Sequence, residues 1–297
     1  MGKYRIVYFS GTGCTALVAN CLEKILRERG CETAKERIAA GSGCAFSPFD
    51  PLDTLILLYP LHAFNAPGPV VDWIRNLNGA DGAKAVVISV SGGGDICPNT
   101  AGRVGVIKML KRKGCDVFYE GSLVMQSNIS IATPEPLSIM LLRVLPDKVS
   151  EIAAGVLSGE RKRESPPVID RFFSMAGKAE RRAAKSWGKS TKVSSDCYGC
   201  GLCAELCPTG NIKMADSKPE FSKKCCMCLG CFYACPKGAL KPKIAKSMIL
   251  KNFNLKDLEQ KSLASELEDV KAAAMEFRAG YLFSGVKKYL TGGQEWK

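Results

Sequence analysis

The chain has 297 residues, 46% of them apolar, with a formal charge of +13. That length suits two domains and supplies material for a buried core. The longest apolar runs, Leu55–Tyr59 and Ala85–Val90, are far too short to span a bilayer. The opening MGKYRIVYFSG carries no secretory pattern, and no segment is basic enough to demand nucleic acid. The expected location is therefore the cytoplasm.

Along residues 1–125, strand and helix patterns alternate. Tyr4–Phe9 reads as a short apolar strand. Thr15–Arg29 has Leu17, Val18, Cys21, Leu22, Ile25 and Leu26 at the spacing of a helix with one buried face, stopped by Gly30. Cys31–Ile38 is a weaker strand. Asp53–Tyr59 and Ala83–Val90 are continuous apolar runs, the mark of strands covered on both faces of a parallel sheet. Val70–Leu77 and Gly102–Lys113 read as helices, and Cys115–Met125 as a last strand. Such alternation predicts an open, doubly wound sheet of five parallel strands.

Further on, Thr133-Pro134-Glu135-Pro136 breaks structure, and helices are expected at Leu137–Leu145 and Val149–Leu157. Ser165-Pro166-Pro167 breaks it again, and a basic helix is expected over Asp170–Trp187. The dense cations of Lys178–Lys192, Arg181, Arg182 and Lys185 among them, suit a solvated helix face; docking of an acidic redox partner or a membrane surface is the sharper alternative. Ala264–Tyr281, with Leu267, Val270, Ala274 and Phe277 on one side, predicts an amphipathic helix packed on one of the domains.

Fifteen cysteines in a cytoplasmic chain of this length point to metal or redox chemistry rather than disulfides. Seven are scattered (Cys14, Cys21, Cys31, Cys44, Cys97, Cys115 and Cys226) and read mostly as small buried apolar residues. The other eight form two runs. Cys197, Cys200, Cys203 and Cys207-Pro208 have the spacing C-x₂-C-x₂-C-x₃-C-P, and Cys225, Cys228, Cys231 and Cys235-Pro236 repeat it 28 residues later. Gly210 matches Gly238 in the same register, and Ile212 matches Leu240. Structural zinc sites lack this eightfold pattern with two Cys-Pro ends, whereas the ligation of cuboidal iron–sulfur clusters explains the spacing.

These residues resemble a bacterial two-cluster ferredoxin domain. The resemblance implies two pseudo-symmetric halves and low-potential one-electron transfer. It also implies that the fourth cysteine of each run serves the other cluster. One [4Fe–4S] cluster would take Cys197, Cys200, Cys203 and Cys235, the other Cys225, Cys228, Cys231 and Cys207. Cys226 falls outside the register.

At the other end of the chain, Ser10-Gly11-Thr12-Gly13-Cys14-Thr15 joins the first strand to the first helix. Hydroxyls, glycines and a helix N-terminus make a phosphate cradle. Gly11-x-Gly13-x-x-Ala16 also fits the dinucleotide fingerprint, but that fingerprint lacks the alternating hydroxyls and expects a second mononucleotide half. Ser-x-Thr-Gly-x-Thr after a first strand resembles the FMN-phosphate loop of flavodoxins. That resemblance implies a flavin flanked by the loops after the third strand, with Pro60 and Phe64, and the fourth, with Ser91, Gly92, Gly93 and Gly94. Asp95 and His62, the only histidine, are the candidates for proton chemistry near the ring; His62 also reads as a plain loop residue.

The order of the two motifs resembles the flavodoxin–ferredoxin fusion family. The implied fold is a flavodoxin-like α/β domain (1–130), a helical, partly basic connector (131–190), a small α+β two-cluster ferredoxin domain (191–243) and a helical tail (244–297). The implied cofactors are two [4Fe–4S] clusters and FMN, and the implied partners are redox proteins. The leading function is an electron relay between clusters and flavin. A cluster-fed flavin-dependent reductase of a small molecule and a redox or oxygen sensor are the alternatives.

Overall fold

The computed structural model describes residues 2–40, 53–94, 96–177, 179–251, 253–276 and 280–292. Cys44, Asp95, Lys178 and Phe277 lie outside them. The N-terminal region is a five-stranded parallel sheet made of β1 (Lys3–Tyr8), β2 (Glu32–Arg37), β3 (Thr54–Pro60), β4 (Lys84–Ser91) and β5 (Asp116–Val124). Its strand order, β2-β1-β3-β4-β5, is that of a flavodoxin-like doubly wound fold.

Strand periodicity sorts the side chains onto two faces. Val7, Leu55, Leu57, Tyr59 and Val87 face α2 (Gly68–Asn76) and α3 (Val104–Arg112), meeting Val70, Trp73, Ile74, Ile107 and Leu110. Ile6, Ile56, Leu58, Val86 and Ile88 face the other way, onto Val18, Leu22 and Leu26 of α1 (Cys14–Glu28) and onto Leu145, Val149 and Ile152 of α4 (Glu135–Leu157). α4 is one helix where the sequence predicts two. Pro146 sits inside it and forfeits one backbone hydrogen bond. Burial of Leu141, Leu145, Val149 and Ile152 on both sides of that point keeps the helix continuous.

The predicted basic helix is two, α5 (Val168–Gly177) and α6 (Glu180–Lys189). The break falls at Gly177, where a Cβ would lie 2.0 Å from the Ala63 carbonyl oxygen. α6 packs Ala184 and Trp187 into the core of the cysteine module with Phe232, Leu229 and Leu240. That module holds β6 (Lys192–Val193), α7 (Leu202–Glu205), β7 (Ile212–Ala215), β8 (Lys218–Phe221), α8 (Gly230–Ala234) and β9 (Leu240–Lys241). β6 pairs antiparallel with β9, and β7 with β8. The predicted tail helix is α10 (Leu267–Glu276), flanked by α9 (Leu255–Ala264) and α11 (Tyr281–Thr291). Val270, Ala274 and Val286 of the tail pack on Leu137, Met140 and Leu141 of α4, so the tail belongs to the sheet region.

Candidate functional site

The cysteine module repeats itself in space as it does in sequence. α7 begins at Leu202 and α8 at Gly230, the same 28-residue step. Left-handed backbone recurs in matched pairs: Gly199 (φ 80°) with Met227 (52°), Gly201 (78°) with Leu229 (62°), and Gly210 (57°) with Gly238 (53°). A non-glycine residue there costs about 1–2 kcal/mol. Met227 and Leu229 offset that cost by burying their side chains in the module core.

The fourth cysteine of each run is held alike. The Asn211 N–H donates to Cys207 Sγ at 3.2 Å, and the Ala239 N–H to Cys235 Sγ at 3.3 Å. Each also lies beside the opposite run. Cys200 and Cys235 are the like charges acting on Cys203, and Cys228 and Cys207 those acting on Cys225. The fourth cysteine of each run thus lies near the opposite run, although among the described residues no three cysteines are drawn together closely enough to hold a metal ion. Burial pushes Cys225 up to about 12 and Cys231 well above the ordinary thiol value. Cys228 is held down at about 7, first by the Cys226 thiol donating to it, then by the Gly230 N–H and the Arg37 guanidinium. Cys226, outside the register, serves as a donor to Cys228.

The glycine loop sits at the carboxyl edge of the sheet, where ligands of such folds bind. It lines a cavity of about 140 Å³. Ser10, Gly11, Thr12, Cys14 and Thr15 form one wall; Pro60, Ser91 and Gly92 close another. Gly13, at φ 106°, turns the chain into α1 and accepts the first helical hydrogen bond, from the Leu17 N–H. The first turn of α1 leaves backbone N–H groups facing the loop without intrahelical partners. Cys14 is buried, and burial pushes its thiol up to about 12, so it stays protonated.

Two features of the cavity were not legible in the sequence. Met125, Gln126, Ser127, Asn128 and Ile129, just past β5, supply a third wall, and Met227, Cys228 and Leu229 of the second cysteine run supply the fourth. Gln126 is 4% exposed, and both its amide atoms are buried without a hydrogen-bond partner among the described residues. Such orphaned groups cost about 1–3 kcal/mol each unless something polar meets them. A polar residue two positions past a buried strand, at the edge where ligands bind, is the signal that points to it.

The second cysteine run and the phosphate loop are in backbone contact. A Cβ on Gly11 would lie 2.3 Å from the Cys228 carbonyl oxygen, and one on Gly230 would lie 2.6 Å from the Gly11 carbonyl oxygen. Only glycine permits this approach. A hydrogen-bonded path runs alongside: Tyr233 of α8 donates to the Asn128 carbonyl at 2.7 Å, and Asn128 Nδ2 donates to Thr12 Oγ1 at 2.5 Å. Arg37 donates to the Ser10 carbonyl at 3.2 Å and so ties β2 to the same junction. His62 hydrogen-bonds the Cys226 backbone, and its enclosure pushes its pKa down to about 4, which leaves it neutral at physiological pH.

Three predicted flavin-loop residues lie elsewhere. Phe64 adopts φ 63° in the tight turn His62–Asn65, and its ring meets Phe173 of α5 at 6.3 Å rather than lining the cavity. Gly93 and Gly94 are covered by α11: a Cβ on Gly285 would lie 2.0 Å from the Gly93 carbonyl oxygen, and one on Gly94 would lie 2.8 Å from the Gly285 carbonyl oxygen.

The donor set suits FMN at its phosphate end. Hydroxyls and helix N–H groups of the glycine loop line it, and the orphaned Gln126 amide lines the same cavity. The cavity is smaller than the roughly 300–1,000 Å³ of typical cofactor sites.

Residues 191–213 match the family model of a 4Fe-4S binding domain, which supports at least one [4Fe–4S] cluster. No curated protein matches the chain significantly. Flavodoxin 1 from Bacillus cereus is 19% identical, with a TM-score of 0.38, and the match covers 53% of this chain and 98% of that one. A Fusobacterium nucleatum flavodoxin bound to flavin mononucleotide is 15% identical over 53% of this chain and 98% of its own, with a TM-score of 0.38. Rubredoxin oxygen:oxidoreductase from the anaerobe Desulfovibrio gigas is 14% identical, with a TM-score of 0.35, over 60% of this chain and 37% of its own. The fold assignment rests on the strand order of the sheet, not on these likenesses. Among the described residues, no helix is long and apolar enough to cross a membrane.

Proposed function

We propose that this chain is an electron-transfer flavo-iron–sulfur protein of the cytoplasm, relaying low-potential electrons between two [4Fe–4S] clusters and FMN for redox-protein partners. Bound clusters pass single electrons and a bound flavin takes one or two; the chemistry belongs to the cofactors. The chain's task is to hold and insulate them. Cys197, Cys200, Cys203 and Cys235 would hold the outer cluster, and Cys225, Cys228, Cys231 and Cys207 the inner one. Ser10, Thr12, Thr15 and the first N–H groups of α1 would hold the FMN phosphate, with Gln126 supplying a further amide.

The observation that carries this reading is the backbone contact between Gly11 and Cys228. It sets a cluster ligand of the second run against the phosphate loop, beside the Tyr233–Asn128–Thr12 path. A merely tethered ferredoxin needs no such contact. Within one chain, donor and acceptor also stay at high effective concentration. Arg37 places a positive charge near Cys228, which favours the reduced state of the inner cluster.

The test is anaerobic reconstitution followed by a redox titration with visible and EPR detection. The reading expects about eight irons and one FMN per chain, with two distinct cluster signals. About four irons, or a reconstituted protein that keeps no flavin, would overturn it.

A further inference from the structure

α5 is an amphipathic helix turned inside out. Its polar residues face the protein. Asp170 is fully buried and accepts a hydrogen bond from the Thr100 hydroxyl. Ser174, one turn on, donates to Asn65 Oδ1 at 2.8 Å, while Asn65 Nδ2 donates to the Ser174 carbonyl at 2.7 Å. Its apolar residues face outward: Val168 is 81% exposed, Phe172 64%, Met175 67% and Ile169 54%. At about 100° per residue, these positions and Phe173 span one arc of roughly 160° on the helix surface. Single exposed apolar residues need no explanation, but a whole helix face does.

Charge beside that face identifies what covers it. Arg171 borders the apolar arc and also lines a cleft of about 520 Å³ with Lys108, Lys111, Arg112 and Arg163. The two carboxylates in the cleft are already engaged. Glu120 is paired with Arg103 and Arg163, and Glu164 with Arg103. α6 follows with Arg182 and Lys185 exposed. Protruding aromatic and aliphatic side chains with Arg171 and the Lys108, Lys111 and Arg112 cations beside them suit a flat, polyanionic, apolar-backed surface. A protein partner would need a matching groove and acidic patch for each of these knobs.

We propose that α5 is a membrane-interface helix. Val168, Phe172 and Met175 enter the headgroup–acyl boundary of an anionic phospholipid bilayer, and the Lys108–Arg171 cleft takes lipid phosphates. The contact is peripheral and reversible, because one short helix anchors weakly on its own. It goes beyond the relay itself and does not depend on it. Through Phe173 against Phe64 and Ser174 against Asn65, it would hold the turn after β3 toward the bilayer.

The test is co-sedimentation of the full holoprotein with vesicles of phosphatidylcholine alone or mixed with phosphatidylglycerol. Binding is expected only with phosphatidylglycerol and should weaken steeply with added salt. The neutral triple variant Val168→Ser, Phe172→Ser, Met175→Ser should bind at least about tenfold more weakly. It should keep its cluster and flavin absorbance, since none of the three residues touches either site. The variant Lys108→Gln, Lys111→Gln, Arg112→Gln should also bind more weakly and lose most of the salt dependence. Equal binding to both vesicle types, or unchanged binding by the serine variant, would overturn the proposal. So would the absence of vesicle binding alongside a dimer in solution that the serine variant breaks, because the face would then be a contact between chains.

Discussion

The two cysteine runs share spacing, backbone and hydrogen bonds, but not their surroundings. The first lies in the open. Cys200 and Tyr198 are exposed, and α7 buries no residue. The second is pressed against the sheet: α8 buries Gly230 and Phe232, and Cys228 meets Gly11. The comparison teaches that the duplicated sequence gives two equivalent backbone frames, and that packing gives them different surroundings, which the proposed relay would use differently. In the proposed relay, the frame in solvent would be the one an external partner reaches, and the frame at the junction the one from which the flavin loop is reached.

The largest way to break this asymmetry is to remove one ligand from either frame. Cys228→Ala should cost the inner cluster, about half the iron of the chain, and abolish flavin reduction through the clusters. Cys207→Ala should act on the same cluster although it sits in the first run, and iron analysis with EPR would show the same signal missing. Cys200→Ala should cost the outer cluster only, and leave the inner cluster and flavin still exchanging electrons.

Next comes the junction. Gly11→Val drives a side chain into the Cys228 carbonyl and should destabilise the holoprotein by about 1–3 kcal/mol in urea unfolding. It should also slow transfer to the flavin with iron content unchanged. Gly201→Ala, at φ 78° but facing open space, should cost about 1 kcal/mol of backbone strain and leave transfer alone.

The cradle follows. The triple variant Ser10→Ala, Thr12→Ala, Thr15→Ala should lose FMN by at least about tenfold in a fluorescence titration while keeping both clusters; each lost hydrogen bond to a charged phosphate is worth about 1.5–3 kcal/mol. Retention of full FMN would remove the flavin site as described. The smallest effect belongs to Gln126→Leu. It removes the orphaned amide, so the flavin-free protein should gain about 1–3 kcal/mol while FMN affinity falls by about tenfold.

Much of this was legible in the sequence because it follows from periodicity and spacing. Continuous apolar runs at Leu55–Leu58 and Ala85–Ile88 mark strands covered on both faces, and the sheet covers them so. The 28-residue register foretells the paired left-handed turns. What escaped depends on tertiary contact. α4 continues through the exposed Pro146 because Leu141 and Leu145 before it and Val149 and Ile152 after it are buried, which no local rule sees. Phe64 belongs to a loop expected to flank the flavin, but its turn aims it at Phe173. Gly93 and Gly94 read as room for a ring, yet their smallness admits α11. Gln126 and the Met227–Leu229 wall enter the site only once two distant stretches of chain meet.

The central claim is that electrons reach the flavin through the inner cluster. Anaerobic stopped-flow reduction of the holoprotein by a one-electron donor tests it most directly, with cluster and flavin absorbance followed together in the native chain and in Cys228→Ala. The account predicts cluster bleaching first and flavin bleaching after it, with the second phase lost in the variant. Flavin reduction at the same rate in both proteins would contradict it.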